Sequence, residues 1–544
     1  MTNKTATLIV SINDENLSIV DNTKSKIALD YSILLATNQK IEYLFEGIPD
    51  NLENLPTAIA RNWYRDSVGI DNHQYKYSIG IVLEKRISYM ISNMIKLYFS
   101  FLSKIKKYHR IEIPKNYPNY LKDIIHIFKD NIILIPQQKY SDDFKILFAK
   151  RGAIKKINVH KYSWILRLLQ KPFMGFIKNK TLVFPDWTYS QLSNNNYIHQ
   201  NKLNILKAFY YKNGNQDSTL DIPEININII KSILKKYGIH ETDSKVLSNL
   251  IINIIKKEAE SSLDVIEQNY NVMRELIKYY KPKQIIVPDD GESPRYNILL
   301  QIMHKLNIDA ITVLDGYLTY IDIDQIRIKE DGATPLVKNY ATMGSINHNL
   351  IRNNFPKFNR ILIKSPILSH ISSIKKKADE YDALIMMPIP NTVNPNSRWD
   401  MRNKYVIDVV ELLRSHNFKK IAVKVKPGHN LNDSEFLIRF FKNNNIENVD
   451  ILHGYAYDAI SVSKIVIGQL GTTTYESLVM NKPYYIYEPI HCGFKEVNLN
   501  RSIAKTKHIA RDINTLSNNI TSMETIELPI DQLVDGQRMS IRIT

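Results

Sequence analysis

The chain has one cysteine, Cys492, in 544 residues. A single thiol excludes an intrachain disulfide framework and any cysteine-based zinc site, and it fits a reducing compartment. The first residues, MTNKTATLIVSINDENL, lack the basic head, apolar core and small-residue cleavage site of a signal peptide. The most apolar helical stretch, Ile87–Leu102, contains Asn93 and Lys96 and runs on into Lys104, Lys106 and Lys107. It is too short and too polar to span a bilayer, so a soluble, cytoplasmic protein is expected. Zinc-finger, RNP-like aromatic and basic-zipper patterns are also missing. The pair Asp322-x-Asp324 sits in a strand-like stretch and reads as a surface pair, so no metal site is expected from it.

What is present is a globular composition, 44% apolar and 23% charged, in a chain long enough for two or three cores. Isoleucine, asparagine, lysine and tyrosine are abundant, which reads as a biased genome more than a mechanism. A net charge of +17 asks for an anionic partner: nucleic acid, an anionic membrane face or anionic small substrates. The lysines are scattered and no nucleic-acid motif accompanies them. An enzyme for phosphorylated or acidic substrates, in peripheral contact with an anionic membrane at its inner face, is the preferred reading, with no nucleic acid expected.

Strand–helix alternation runs through residues 1–150, with strands expected at Ala6–Ile12, Lys40–Gly47, Tyr77–Leu83, Ile111–Pro114 and Asn131–Pro136. Between them fall the helices Ile87–Tyr108 and Tyr120–Asp130. Trp63 and Arg65, in NWYRD, read as a half-buried loop anchor or as acceptor contacts. Residues 150–280 change character: the basic amphipathic run Ser163–Lys180 precedes helices at Pro223–Tyr237, with Asp221 as cap, and at Thr242–Tyr280. This part reads as a helical insertion. QIIVPDDGESPR (Gln284–Arg295) then gives a strand ending in an acidic turn, where α/β sheets place ligands. Asp289, Asp290 and Glu292 are candidate bases there and Arg295 a candidate anion contact, against a reading of solvated turn residues. Lys338–Leu368 looks like a crossing between two lobes. From Asp382 to Tyr487, five strands alternate with four helices over about 110 residues, a Rossmann-like half. The expected domains are therefore 1–345 with the insertion, 346–515, and a tail 516–544 that packs back on the first.

The most informative stretch is KIVIGQLGTTTYESLVMNKPYYIYEP (Lys464–Pro489). A short strand leads into Gln469-Leu470-Gly471-Thr472-Thr473-Thr474, a helix starts at Tyr475, and a second strand ends at Pro489. A Gly- and Thr-rich turn at a helix N-terminus presents unpaired N–H groups and the positive end of the helix dipole to an anion. Glu476, about one turn in, can accept hydrogen bonds from a sugar diol. Phosphate donors beside a diol acceptor suit a nucleotide or nucleotide-sugar. The plainer reading is a βαβ unit whose threonines only cap a helix.

Four features recur in order: a strand ending in Pro390, Lys424-x-Lys426-Pro427, Gly471-x-x-Thr474 with Glu476 behind it, and a strand closing in Tyr487-x-Pro489. Over roughly residues 280–515 this pattern resembles the C-terminal half of GT-B glycosyltransferases of bacterial surface polysaccharides. The groups it is most similar to are capsule-polysaccharide (Kdo- or sialic-acid-type) transferases and CDP-glycerol glycerophosphotransferase-like proteins, with sugar epimerases of related fold beside them. The resemblance implies an α/β GT-B-like fold of two Rossmann-type lobes facing a cleft. It implies that Lys424, Lys426 and His429 face the donor's phosphate or carboxylate, in the place of a His-Pro motif. Here Lys-Pro-Gly-His displaces the histidine. Gln469 and Thr472–Thr474 would bind the nucleotide and Glu476 its ribose. Leu314-Asp315-Gly316 stands where related proteins often carry Gln-His-Gly, so that histidine's part does not transfer.

The chemistry so implied is a metal-independent, inverting transfer from a nucleotide-sugar donor to a glycan or lipid-linked glycan of capsule or lipopolysaccharide. It needs a base for the acceptor hydroxyl and positive charge for the departing phosphate. Asp290 or Glu292 is the expected base, with His429 and His453 behind them. Arg398, in the loop after Pro390, clamps the donor's anionic part or is solvated. Two other readings stay open: a GT-B-fold epimerase or glycerol-phosphate transferase, and a non-catalytic basic protein binding membrane or nucleic acid.

Overall fold

The structure, a computed structural model, describes residues 4–9, 25–29, 41–45, 52, 55–64, 79–136, 181–183, 205–207, 225–287, 294–313, 339–354, 359–363, 365–374, 377–388, 399–425, 432–489, 506–528 and 530–535. Its strands form three sheets in which every strand pair is parallel. The first comprises β1 (Thr5–Ile9), β2 (Ser25–Ala28), β3 (Glu42–Tyr43), β4 (Arg110–Pro114) and β5 (Ile132–Ile135), in the order β3-β2-β1-β4-β5. Its helices are α1 (Leu55–Asn62), α2 (Ile79–Tyr108) and α3 (Lys122–Ile127). Of the strand expected at Tyr77–Leu83, Ile79–Leu83 are instead the start of α2, and Tyr77 and Ser78 lie outside the described residues. Ile79, Leu83, Ile87 and Ile91 recur every four residues and all are buried, so the helical face continues through the segment. Gly80 lies against the Tyr64 ring, where an added Cβ would come within 2.1 Å. Trp63, at the end of α1, is fully buried, so it serves as an anchor and not as an acceptor contact.

The second sheet holds β6 (Thr181–Val183), β7 (Ile205–Lys207), β8 (Gln284–Val287), β9 (Asp309–Val313), β10 (Asn339–Met343) and β11 (Asn359–Ile363), ordered β11-β10-β9-β8-β6-β7. The helices α4 (Ile227–Lys236), α5 (Glu241–Tyr280), α6 (Pro294–Lys305), α7 (Gly344–Asn354) and α8 (Pro366–Ser372) accompany it. Residues 150–280 thus contribute the two expected helices and also β6 and β7. The cap of α4 is Asn226, whose side chain accepts the Asn228 N–H at 2.9 Å, rather than Asp221, which lies outside the described residues. The division expected at 345/346 falls within this sheet, between β10 and β11.

The first two sheets share one hydrophobic core, because helices from both halves interdigitate between them. The 40-residue α5, about 60 Å long, packs along α2, α4 and α6. Arg86 of α2 donates to both Glu258 carboxylate oxygens (2.9 and 3.3 Å), and the Tyr98 hydroxyl donates to Asp243 at 2.6 Å. Among the described residues no helix is long and apolar enough to cross a membrane.

The third sheet is built from β12 (Tyr381–Met386), β13 (Ile421–Lys424), β14 (Val449–Leu452), β15 (Ser463–Gly468), β16 (Tyr484–Tyr487) and β17 (Ile509–Ala510). Its helices are α9 (Trp399–Ser415), α10 (Asn432–Asn443), α11 (Ala456–Ser461), α12 (Thr472–Val479) and α13 (Ile513–Thr521). Ala383–Ile385 and Ile421–Val423 are buried without alternation, as expected for parallel strands covered on both faces. The last helix, α14 (Ile530–Val534), returns to the second sheet and packs on α7. There the Asp535 carboxylate accepts the Ser345 N–H at 2.7 Å, capping α7 from a distant part of the chain.

Gly344, with φ +74°, makes that docking possible: a Cβ would stand 2.5 Å from the Leu533 carbonyl oxygen. Gly344→Ala should therefore cost about 3 kcal/mol, from left-handed backbone strain plus overpacking. Urea unfolding reads this directly, and a loss below about 1 kcal/mol would mean the contact with α14 does not constrain the fold.

Candidate functional site

Numbered within itself, the third sheet runs 3-2-1-4-5-6, the strand order of dinucleotide-binding folds. The order reverses between β12 and β15. Successive crossovers leave that point on opposite faces of the sheet, so a crevice opens beyond the carboxyl ends of these two strands. Met387 and Pro388 follow β12, Lys424 closes β13, and Gln469–Gly471 follow β15. The stretch singled out in the sequence therefore stands at the switch point.

Gly468 ends β15 beneath the turn. A Cβ there would meet the Tyr484 hydroxyl at 2.2 Å and the Met386 Cβ at 3.0 Å, so only glycine lets the strands close at this level. The Tyr484 hydroxyl donates to the Gln469 carbonyl at 2.6 Å and lies 3.3 Å from the Thr473 hydroxyl. Burial pushes its pKa up to about 12, so it stays a donor. At the next residue, the Leu470 N–H donates to Oε1 of the fully buried Glu488 at 3.0 Å. Arg511 in turn donates to the Glu488 carbonyl at 2.7 Å and approaches its Oε2 at 3.4 Å.

The helix starts earlier than the sequence suggests, at Thr472 instead of Tyr475, with Gly471 as its cap residue. The threonines form its first turn. The Gly471 N–H donates to the Thr474 hydroxyl at 3.1 Å, and the Thr474 N–H returns a bond to the Gly471 carbonyl at 3.0 Å. Among the described residues, no acceptor serves the Thr472 and Thr473 N–H groups, the first two of the helix. Gly471 is extended, and among the described residues a Cβ there would meet only the Gln469 carbonyl oxygen, at 4.0 Å.

Glu476 is buried to 9% exposure on the inner side of α12, and its Oε2 has no hydrogen bond among the described residues. Burial raises its carboxyl to about 7, and the charge of Lys424 only partly offsets this. Lys424 is itself buried. Its ammonium donates to the Val425 carbonyl, and burial lowers its pKa against the pull of Glu476. A carboxyl with one bare oxygen, a buried ammonium and a helix N-terminus thus meet in one crevice. Buried groups of perturbed pKa in a cleft are a physical signature of a binding or catalytic site.

Of the residues nominated from sequence, Lys424, Gln469, Thr472, Thr473, Thr474 and Glu476 come together here. Asp290, Glu292, Lys426, His429 and Arg398 lie outside the described residues, as do Asp289 and Asp315. Arg295 begins α6. His453 is exposed just beyond β14. Two residues were missed, Glu488 and Arg511, which shape the turn. The usable signal was a glutamate directly after four buried strand residues, YYIY, where a solvated carboxylate would not be affordable. Among the described residues no cluster of three His, Cys, Asp or Glu side chains could hold a metal. A cavity of about 380 Å³ lined by Arg414, Lys419, Glu447 and Asn448 sits at the opposite, amino-terminal edge of the sheet, remote from these groups.

Glu488→Ala should destabilise the protein by about 3 kcal/mol, because the Leu470 N–H and the Arg511 guanidinium lose a buried acceptor. Chemical denaturation tests this, with Glu488→Gln expected to recover part of the loss. Glu476 predicts a pH dependence. Its folded pKa lies above the ordinary value, so its contribution is complete below about pH 4.5 and is lost as pH rises through about 7. Glu476→Gln should then stabilise the protein by roughly 3 kcal/mol at pH 8 and by nothing near pH 4.5. Parallel stability profiles of the two proteins would overturn the assignment.

No family model matches the sequence, and no curated protein matches it. Solved structures do match, loosely. The S. aureus MnaA–UDP complex gives a TM-score of 0.40 at 9% identity, covering 66% of this chain and 92% of that one. A glycosyltransferase from Rickettsia africae gives 0.34 at 11% identity, over 63% and 88%. The wall teichoic acid polymerase TagF, soaked with CDPG, gives 0.33 at 9% identity, over 70% and 94%. At these scores the α/β assignment rests on the parallel sheets themselves.

Proposed function

We propose that this chain is a glycosyltransferase that takes a sugar from a nucleotide-sugar donor, without a metal and with inversion, and passes it to a surface-glycan acceptor. The observation that carries the reading is Glu476: a buried carboxyl with a bare oxygen, one helical turn behind two unserved N–H groups, at the switch point of a 3-2-1-4-5-6 sheet. An anion plus a vicinal diol satisfies both sets of groups at once. In this reading the Thr472 and Thr473 N–H groups and the helix dipole hold the donor's phosphates, and Glu476 accepts from the ribose hydroxyls. Lys424, with Lys426 and His429 just beyond it in sequence, adds positive charge.

In the transfer step the acceptor oxygen bonds to the anomeric carbon while the bond from that carbon to the phosphate oxygen breaks. The electron pair leaves with the nucleotide, and the acceptor proton goes to a carboxylate. Asp290 or Glu292 is the proposed base. Both follow β8 in sequence, and β8 adjoins β6 where the order of the second sheet reverses, the kind of edge at which α/β sheets bind ligands, which supports this choice. Developing phosphate charge is met by preorganised N–H dipoles and lysines, which is why no metal is required.

A thermal-shift panel of UDP, GDP, CDP, CMP and dTDP, with and without Mg²⁺, tests the reading on wild type and Glu476→Ala. A nucleotide at about 100 times its Kd should stabilise the protein by about 2.7 kcal/mol, a shift of a few degrees that Mg²⁺ does not alter and the variant loses. A CMP response points to acid-sugar donors, and a UDP response to hexose transfer or epimerisation. No response from any of the five removes the nucleotide site and leaves a basic binding protein.

A further inference from the structure

At the amino-terminal edge of the third sheet, two helices end at the same cavity and in the same way. α9 closes on Asn417 (φ +63°) and α10 on Asn445 (φ +52°). In each turn the left-handed asparagine donates its N–H to a carbonyl three residues back, of Arg414 (3.0 Å) or Lys442 (3.2 Å). The next N–H, of Phe418 or Ile446, reaches a carbonyl five residues back, of Leu413 (3.0 Å) or Phe441 (2.8 Å). Such paired bonds satisfy the helix end, and asparagine tolerates the backbone they need. Asp382 then accepts the Lys419 and Lys420 N–H groups at 2.9 and 3.0 Å, and the Ile421 N–H bonds to the Asn448 carbonyl at 3.0 Å. The backbone around this cavity of about 380 Å³ is therefore fixed.

The scaffold does not use the side chains it presents. Among the described residues, those of Arg414, Lys419, Asn445, Glu447 and Asn448 make no hydrogen bond or ion pair, although all line the cavity. Solvated charges are ordinary on a surface. Here two cations, one carboxylate and two amides share one concavity of the size that small ligands occupy, and Phe418 forms part of its wall. A simple anion would meet Arg414 and Lys419 but also the repulsion of Glu447, and a simple cation would meet the reverse. A sugar hydroxyl both donates and accepts, so it suits a carboxylate and amides together. The C–H face of a sugar ring suits the apolar side of Phe418. One acidic group on the sugar then occupies the arginine, whose fork matches a carboxylate or a phosphate.

We propose that this cavity is a second binding site, for a saccharide unit carrying one acidic group, separate from the crevice and independent of what binds there. Ile421 lines the cavity, and Lys424, three residues on along β13, lies at the crevice, about 10 Å away. The two sites are at opposite edges of the sheet, so a saccharide held at this one leaves the crevice free.

Ligand-observed NMR titration of the full chain tests this with D-glucuronate, D-glucose 6-phosphate, D-glucose and inorganic phosphate. Glucuronate, glucose 6-phosphate or both should bind at least about 10-fold more tightly than glucose or phosphate, and the tighter of the two identifies the acidic group as carboxylate or phosphate. Arg414→Gln and Glu447→Gln should each weaken that sugar about 10-fold, while Glu476→Ala, which alters the crevice, binds it as wild type does. Both substituted side chains are exposed, and unchanged melting temperatures would establish that the fold is kept. Inorganic phosphate binding as tightly as the acidic sugars would overturn the saccharide assignment and leave an anion site. Binding lost in Glu476→Ala but kept in Arg414→Gln would put the sugar in the crevice and remove the second site, leaving the nucleotide reading intact. No binding of either acidic sugar also overturns the proposal.

Discussion

The hydrogen bond between the Leu470 N–H and the buried Glu488 carboxylate fixes the turn on which the candidate site depends. A carboxylate with no exposure is tolerable only if its oxygens are occupied, and here the turn's backbone and Arg511 occupy them. The arrangement leaves the chain little freedom between β15 and α12. Gly468 allows Tyr484 to come up against the turn and hold the Gln469 carbonyl, and Glu488 holds the next N–H. The helix that follows is then aimed by two side chains from the neighbouring strand, and its first N–H groups emerge at the edge of the sheet where the strand order reverses.

The same helix couples parts of the molecule far apart in sequence. Tyr475 and Val479 of α12 join a hydrophobic cluster with Ile286, Ile311, Ala341 and Met343 of the second sheet, completed by Leu368, Ile371 and Leu533. One face of α12 thus presents the N-terminus and Glu476 to the crevice while another is packed against the second sheet and the C-terminal helix. The N-terminus, Glu476 and the packing against the second sheet thus share one helix. Glu476 pays for its position with a carboxyl that is only partly ionised at neutral pH. A ligand that donates hydrogen bonds to it would favour the ionised form, so occupancy and proton release are linked.

Local pattern was enough for most elements. Thr242–Tyr280 was legible as one helix, observed as Glu241–Tyr280, because Leu247, Leu250, Ile251, Ile254 and Ile255 keep helical spacing and all face the core. The runs at Ala383–Ile385 and Ile421–Val423 were legible as strands because nothing polar interrupts them. Tyr77–Leu83 misled because Ile79, Ile81 and Leu83 alternate as a strand would, and only the helix continuing to Tyr108 makes the other period prevail. In the candidate site, Gly471, the threonines and Glu476 were readable because a helix N-terminus is a local object. Glu488 was missed: its place directly after YYIY hints at burial, but its importance comes from a partner 18 residues away in sequence.

The sequence by itself determined the parallel α/β alternation, the position of the glycine- and threonine-rich turn and the absence of a disulfide framework. These follow from side-chain period, helix-end chemistry and composition, which act over a few residues or over the whole chain. Tertiary structure decided that residues 181–183 and 205–207 belong to a sheet, that the third sheet adopts the 3-2-1-4-5-6 order, and that α14 returns to Gly344. It also decided which carboxylates are buried. Strand order and desolvation depend on which distant segments meet, and no short stretch of chain carries that information.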